Sequence, residues 1–179
     1  MITLVTGGCR SGKSRYALDM ADQLDGKKIF CATCPRQEDR EMKERITRHQ
    51  AERDALSGWQ TVEESLDLIR VIHQHQHETI LIDCLTLWVS NLMYQASQLE
   101  KEFTEDDIAK LTLELVDVLK EREAHAIFVT NETGMGIVPE NKLARQYRDV
   151  IGRCNQIIGH HCDRLILMVS GQPMYVKGN

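Results

Sequence analysis

The sequence predicts an α/β protein, a mostly parallel central sheet with helices on both faces, and three observations predict it. Five short β-type runs, ITLVT (2–6), KIFCAT (28–33), TILIDC (79–84), AIFVTN (126–131) and RLILMVS (164–170), are mostly apolar on both faces rather than alternating, the pattern of strands covered on each side. Longer stretches with helical periodicity separate them, as parallel strands require of their connections. The first run ends directly in a glycine-rich turn that leads into a helical stretch, GGCRSGKS at 7–14.

Taken in order, helices are expected at about 12–24, 38–56, 63–76, 85–97, 105–121 and 140–160. Thr104 followed by Glu105, Asp106 and Asp107 is a start signal, a capping hydroxyl ahead of an acidic first turn. Residues 98–104 read as an exposed connection. There is no internal repeat, low-complexity tract or Pro/Gly/Ser linker to divide the chain, so residues 1–179 are expected to form a single domain.

Composition narrows the function classes. With 42% hydrophobic and 27% charged residues the chain can build a core, which excludes wholesale disorder. A balance of 22 basic against 27 acidic residues gives a formal charge of -5, so no global field draws it to nucleic acid or an anionic membrane. The opening MITLVTGG is already strand and glycine loop, without the pattern of a signal peptide, which predicts a cytoplasmic protein. The longest apolar run, around LILMV, falls far short of the roughly 20 residues of a membrane span. Cys9, Cys31, Cys34, Cys84, Cys154 and Cys162 are scattered, several in apolar runs, as reduced buried thiols would be.

The segment Gly7, Gly8, Cys9, Arg10, Ser11, Gly12, Lys13, Ser14 matches G-x-x-x-x-G-K-[ST] at every fixed position, between a strand and a helix. Glycines let successive backbone N–H groups turn toward phosphate oxygens, the helix beginning near Gly12 aims its positive end at them, and Lys13 neutralises the outer phosphates. Ser14 is expected to hold Mg²⁺. The fold expectation thereby sharpens to a P-loop NTPase-like (RecA-like) domain. Such a site wants an acidic residue at a neighbouring strand end to orient the metal. Asp83, closing TILID, fits; capping the next helix is the competing role. Asn141-Lys142-Leu143-Ala144 lacks the aspartate of Asn-Lys-x-Asp, which argues against a signalling GTPase.

After the fourth run, VTNETGMGIVPENKLARQYRDV (129–150) passes Gly134 and Gly136 and enters a helix near Pro139. In open parallel sheets ligands bind beyond the carboxyl ends of strands, so Asn131, Glu132 and this loop should face the P-loop crevice. Asn141, Arg145 and Arg148 follow at helical spacing, suited either to phosphate or to a solvated face paired with Glu140 and Asp149. Cys31 and Cys34 have zinc-like spacing but no second pair follows. His73, His75 and His77, and His160 and His161 beside Cys162, read as helix-end histidines favoured by the dipole. His49 differs: Met42 and Ile46 mark the buried stripe of its helix, and three residues beyond Ile46 it continues that stripe. Glu41, Arg45 and Arg53 lie at four-residue steps on the same side. Spacing alone leaves a packed histidine and a reactive one both open.

Together VTGGCRSGKSRYA, FCATC, DREMKERITRHQAER, ILIDC with LTLWVSNL, and VTNETGMGIVPENKLARQYRDVIGRCNQ resemble the bifunctional adenosylcobinamide kinase/adenosylcobinamide-phosphate guanylyltransferase family of cobalamin biosynthesis, nearly end to end. The resemblance implies two reactions. ATP or GTP phosphorylates the aminopropanol hydroxyl of adenosylcobinamide; GTP then gives GMP to the adenosylcobinamide phosphate, releasing pyrophosphate and forming adenosylcobinamide-GDP. It implies that His49, in E-M-x-x-R-I-x-x-H, carries GMP covalently. By the same resemblance the nucleotide meets Cys34, Pro35 and Arg36, then Gln50, Ala51, Glu52 and Arg53, and also Glu63 and Asp83, with Ser14 and Asp83 at Mg²⁺. Asp83 stands where the family often has glutamate, and Cys34 where it often has a hydroxyl. The family assembles as a homotrimer. Two rivals remain at this stage: a P-loop small-molecule kinase without guanylyltransferase activity, and a nucleotide-binding regulator that is no enzyme.

Overall fold

The computed structural model describes residues 1–34 and 58–178. In chain order these form β1 (Ile2–Gly7), α1 (Lys13–Asp22), β2 (Lys28–Ala32), β3 (Trp59–Glu63), α2 (Leu68–Gln74), β4 (Thr79–Asp83), α3 (Leu85–Gln98), α4 (Glu105–Lys120), β5 (Ala126–Val129), α5 (Lys142–His161), β6 (Arg164–Val169) and β7 (Gln172–Lys177). The strands make one sheet in the order β3-β2-β4-β5-β1-β6-β7, parallel except for the antiparallel β6–β7 pair.

The central strands are apolar on both faces because both faces are covered. Side chains alternate across a strand, so Val5, Phe30, Leu81, Ile127, Val129, Ile166 and Met168 pack with Ala17, Leu18 and Ala21 of α1. Their neighbours Leu4, Ile29, Ile80, Ile82 and Phe128 enter the larger core beneath α2 to α5. Trp88 of α3 is buried there, and its indole N–H donates to the Leu66 carbonyl at 2.8 Å. Truncating a packed aromatic of this kind costs about 3–5 kcal/mol.

The acidic start of α4 is a reciprocal cap: Thr104 Oγ1 accepts the Asp107 N–H at 3.3 Å and Asp107 Oδ2 accepts the Thr104 N–H at 2.8 Å. Two strands were not predicted. β3 and β7 lie at the sheet's edges and are largely exposed, so neither needs the continuous apolar run that marks the central strands. The helix expected at 63–76 begins only at Leu68, where the Asp67 side chain accepts the Arg70 N–H. The helix expected at 38–56 lies outside the described residues.

Candidate active site

The phosphate loop connects the buried end of β1 to the first turn of α1. Gly7 is held so tightly that a Cβ would come within 2.7 Å of both the Met168 carbonyl oxygen and Ser11 Oγ. Glycine alone fits without displacing backbone. Arg10 and Gly12 have φ of 56° and 91°, and this left-handed pair turns the chain into α1. The Ser11 N–H donates to the Gly8 carbonyl at 3.3 Å. The far side of the loop is braced by the β6–β7 turn, whose Gly171 N–H donates to the Ser11 carbonyl at 3.0 Å. That turn has positive φ at both Ser170 and Gly171, as a two-residue hairpin favours. Lys13 Nζ donates to the Gly8 carbonyl at 2.9 Å, so the loop's own lysine spans it, and Ser14 follows on the same helical turn. Gly8, Cys9 and Arg10 are exposed on the loop's outer arc.

Across the sheet Val5, Val129, Asp83, Ala32 and Glu63 stand in register on adjacent strands. Asp83 therefore shares the carboxyl edge with the phosphate loop, two strands from β1, and Glu63 lies two strands further on β3. Thr33 fixes this edge: its hydroxyl accepts the Cys84 N–H and donates to the Cys84 carbonyl, both at 2.8 Å. Asn91 Nδ2 donates to the Thr33 carbonyl at 2.8 Å and to that of Ser65 at 3.1 Å. Cys34 follows directly, half-buried. Glu64 serves the turn that follows. Burial disfavours its carboxylate, yet the Asp67 and Leu66 N–H groups and the Arg70 guanidinium bring its carboxyl below the ordinary value.

The chain leaving β5 is held from several sides. Thr130 N–H donates to Val5 O at 3.0 Å and Glu132 N–H to Gly7 O at 3.1 Å, extending the ladder to the phosphate loop. Asn155 of α5 accepts from Thr130 Oγ1 at 2.8 Å and donates to the Asn131 carbonyl at 3.1 Å. Thr86 Oγ1 lies 2.7 Å from Cys84 Sγ and accepts weakly from Asn131 Nδ2 at 3.4 Å. Tyr147 donates to the Thr86 carbonyl at 3.0 Å. Burial, with the charge of Asp83, pushes the Cys84 thiol up to about 11. Burial, with the neighbouring Cys84 and Cys154 thiols, pushes the Tyr147 hydroxyl up to about 12, so both stay protonated at neutral pH.

On the polar face anticipated on α5, Asn141 and Arg145 are exposed and Arg148 is half-buried, but among the described residues none of the three pairs with the Glu140 or Asp149 side chain. Asn141 caps the helix by accepting the Ala144 N–H at 3.1 Å. Arg145 donates to the Pro139 and Glu140 carbonyls at 2.9 and 2.6 Å, and Arg148 to those of Ile137 and Gly134 at 3.2 and 2.6 Å. Both guanidiniums thus shape the loop after β5, which exposes Met135, Ile137, Val138 and nearby Leu143. A cavity of about 380 Å³ between the starts of α4 and α5 is lined by Glu102, Thr104, Glu105, Lys142, Arg145, Gln146, Asp149 and Val150, of which only Arg145 is among the sequence's candidates for phosphate binding.

The structure therefore brings Gly7 to Ser14, Cys34, Glu63 and Asp83 to one edge of the sheet. The predicted residues Pro35, Arg36, His49, Gln50, Ala51, Glu52 and Arg53 lie outside the described residues. Sequence reasoning missed Thr33, Asn155 and the Ser170–Gly171 turn. Only the turn left a local signal, a serine-glycine pair at the end of the fifth β-type run.

The family model described as cobinamide kinase / cobinamide phosphate guanyltransferase matches residues 3–176. The chain is 38% identical over 183 residues to the bifunctional adenosylcobalamin biosynthesis protein CobP of Pseudomonas aeruginosa, spanning 99% of this chain and 98% of that one. It is 35% identical over 185 residues to the bifunctional adenosylcobalamin biosynthesis protein CobU of Escherichia coli, spanning 99% of this chain and 100% of that one. Among solved structures, a prototypical ATPase from the type III secretion system of pathogenic bacteria superimposes with a TM-score of 0.58 at 13% identity, over 93% of this chain and 50% of that one. That likeness is one of fold, a P-loop NTPase-like α/β domain.

Proposed function

This chain belongs to the cobinamide kinase / cobinamide phosphate guanyltransferase family, and we propose that its two reactions run in sequence at the crevice between the phosphate loop and the end of β4. It is an enzyme of cobalamin biosynthesis with both activities. In the first reaction the aminopropanol hydroxyl of adenosylcobinamide attacks the γ-phosphorus of ATP or GTP, and the nucleoside diphosphate departs. In the second, a ring nitrogen of His49 attacks the α-phosphorus of GTP, the bond to the β-phosphate breaks, and pyrophosphate leaves. The phosphoramidate then passes GMP to adenosylcobinamide phosphate, giving adenosylcobinamide-GDP and freeing the imidazole.

What supports this reading is the union of a match over residues 3–176 with a phosphate loop whose Lys13 already lies across the Gly8 carbonyl. Nucleotide phosphates would replace that carbonyl as the partner of Lys13, while backbone N–H groups at the start of α1 take the phosphate oxygens. Gly7 to Ser14 form this cradle. Cys34, Pro35, Arg36, Gln50, Ala51, Glu52, Arg53, Glu63 and Asp83 would meet the rest of the nucleotide. The oxygen donors Ser14 and Asp83 suit Mg²⁺, which takes one or two protein ligands plus phosphate. Bound there, Mg²⁺ would neutralise charge developing on the departing phosphates.

Residues 1–179 would act as one catalytic domain in the cytoplasm, assembled as a homotrimer. The exposed apolar residues Val169, Met174, Tyr175 and Val176 at the β6–β7 edge are suitable material for subunit contacts. Light scattering should then give three times the 20.5 kDa chain mass. The mechanism is tested by incubating the chain with α-labelled GTP and Mg²⁺. Acid-labile, base-stable label on protein is expected, and no label, or label that survives His49→Ala, sinks the GMP-histidine.

A further inference from the structure

We infer that Glu132 is the group that accepts the hydroxyl proton of the corrinoid substrate during phosphoryl transfer, a role that rests on the kinase activity described above. The placement comes from topology. β5 lies between β4, which ends in Asp83, and β1, which ends in the phosphate loop. The Glu132 N–H donates to the carbonyl of Gly7, the first residue of that loop, at 3.1 Å. Neighbouring strands are about 4.8 Å apart, so Glu132 starts one strand spacing from the phosphate cradle and Asp83 starts two. A proton acceptor must reach the attacking hydroxyl when that oxygen faces the γ-phosphorus, and among the described carboxylates Glu132 is tied by backbone directly to the cradle.

The group is also preorganised. The backbone on its amino side is fixed by Asn155, which binds Thr130 Oγ1 and the Asn131 carbonyl. On its carboxyl side Gly134 N–H donates to Glu132 Oε1 at 3.1 Å, and a Cβ on Gly134 would lie 3.1 Å from that same oxygen, so a glycine lets the loop close on the carboxylate. Among the described residues Oε2 takes no hydrogen bond, which leaves it to accept one from a substrate. In the step itself the hydroxyl oxygen forms its bond to the γ-phosphorus and its proton passes to the Glu132 carboxylate. The bond from phosphorus to the β,γ-bridging oxygen breaks, and the electron pair leaves with the nucleoside diphosphate. No other reactant is required.

A purely structural role, holding the loop through Gly134, is separated from this one by Glu132→Gln. The amide keeps an oxygen for the Gly134 N–H but is no base. The two reactions are assayed apart on the full chain: phosphorylation of adenosylcobinamide, and guanylyl transfer from GTP to supplied adenosylcobinamide phosphate. For Glu132→Gln the kcat of phosphorylation is expected to fall about 100-fold or more, with KM values within about threefold. Guanylyl transfer should stay within about threefold of the unmodified chain. Glu132→Asp, which keeps a carboxylate set back by one methylene, should recover part of the phosphorylation rate. Phosphorylation by Glu132→Gln within about threefold of normal overturns the role, as does equal loss of both reactions. Absence of phosphorylation by the unmodified chain overturns the kinase reading itself, and this role with it.

Discussion

Thr33 and Cys84 are joined by two hydrogen bonds of opposite sense, the threonine hydroxyl accepting from the Cys84 N–H and donating to the Cys84 carbonyl, each at 2.8 Å. Thr33 is fully buried, and it ties the chain leaving β2 to the chain leaving β4 immediately after Asp83. The Cys84 carbonyl also accepts the Trp88 N–H at 3.2 Å, so it has a second partner, whereas the Cys84 N–H depends on Thr33. Thr33→Val keeps the shape and removes both bonds. It should cost about 1–3 kcal/mol in urea unfolding, the penalty for an unsatisfied buried donor, and Thr33→Ser should recover most of it.

The two glycines that open the phosphate loop should respond differently to a methyl group. At Gly7 an added Cβ meets the Met168 carbonyl oxygen and Ser11 Oγ at 2.7 Å, whereas at Gly8 it meets nothing within 4 Å. Gly7→Ala is therefore expected to lower the melting temperature of the nucleotide-free protein by several degrees, corresponding to about 1–3 kcal/mol of overpacking. Gly8→Ala should leave it nearly unchanged. A thermal scan of both variants without nucleotide reads the contrast.

Thiol accessibility provides a probe of the nucleotide site. Cys9 is exposed within the phosphate loop, whereas Cys31, Cys154 and Cys162 are buried. Burial raises Cys31 and Cys154 to about 12, and Cys84, half-buried by exposure, is raised to about 11, so these thiols are poor nucleophiles at neutral pH. Iodoacetamide at neutral pH should modify Cys9 first, and Mg²⁺ with GTP should slow that reaction. Peptide mass mapping after brief labelling checks both points.

Stability should depend on pH through His125. Its Nδ1 is buried without a hydrogen-bond partner among the described residues, and burial, then the chain's amino terminus and Arg164, lowers its pKa. The unfolded chain thus holds this proton more readily than the folded one. Stability rises with pH through the window below the ordinary value of 6.5, and is lost as pH falls through it. Glu64 acts in a lower window: its stabilisation is present above 4.5 and lost as pH falls below. Urea midpoints should rise from pH 5 to about 6.5 and level off above it, and His125→Gln should flatten that rise.

Arg148 should control the loop after β5 rather than global stability. Its guanidinium bridges the Gly134 and Ile137 carbonyls at 2.6 and 3.2 Å near the surface. Arg148→Ala is expected to change unfolding free energy by less than about 1 kcal/mol. Amide hydrogen exchange at 133–140 should nonetheless accelerate, because the two ends of the loop lose their common donor. Exchange measured by mass spectrometry would show whether the effect stays in that loop.

The sequence by itself determined the features whose cause is local. Five central strands were legible because burial on both faces leaves continuous apolar runs. The phosphate loop was legible because Gly7, Gly12, Lys13 and Ser14 meet demands set within eight residues, and the start of α4 because its cap closes over three. The family resemblance was legible because five motifs spread along the chain, above all the segment at 129–156, occur together.

Tertiary structure decided what depends on residues distant in the chain. Edge strands β3 and β7 pair on one side only and stay largely exposed, so their composition carries little signal. Nothing near Thr33 announces Cys84 as its partner, and nothing near Ser11 announces Gly171. Arg145 and Arg148 have the spacing of an anion-binding face, yet the fold supplies backbone carbonyls as their partners. Glu132 was legible in part: its position after the fourth β-type run puts it on the phosphate-loop side of the sheet, but only the strand order, which sets β5 between Asp83 and the phosphate loop, puts it directly beside the cradle. The physical reason is that a hydrogen bond depends on distance and angle in space, and sequence separation fixes neither until the sheet has formed.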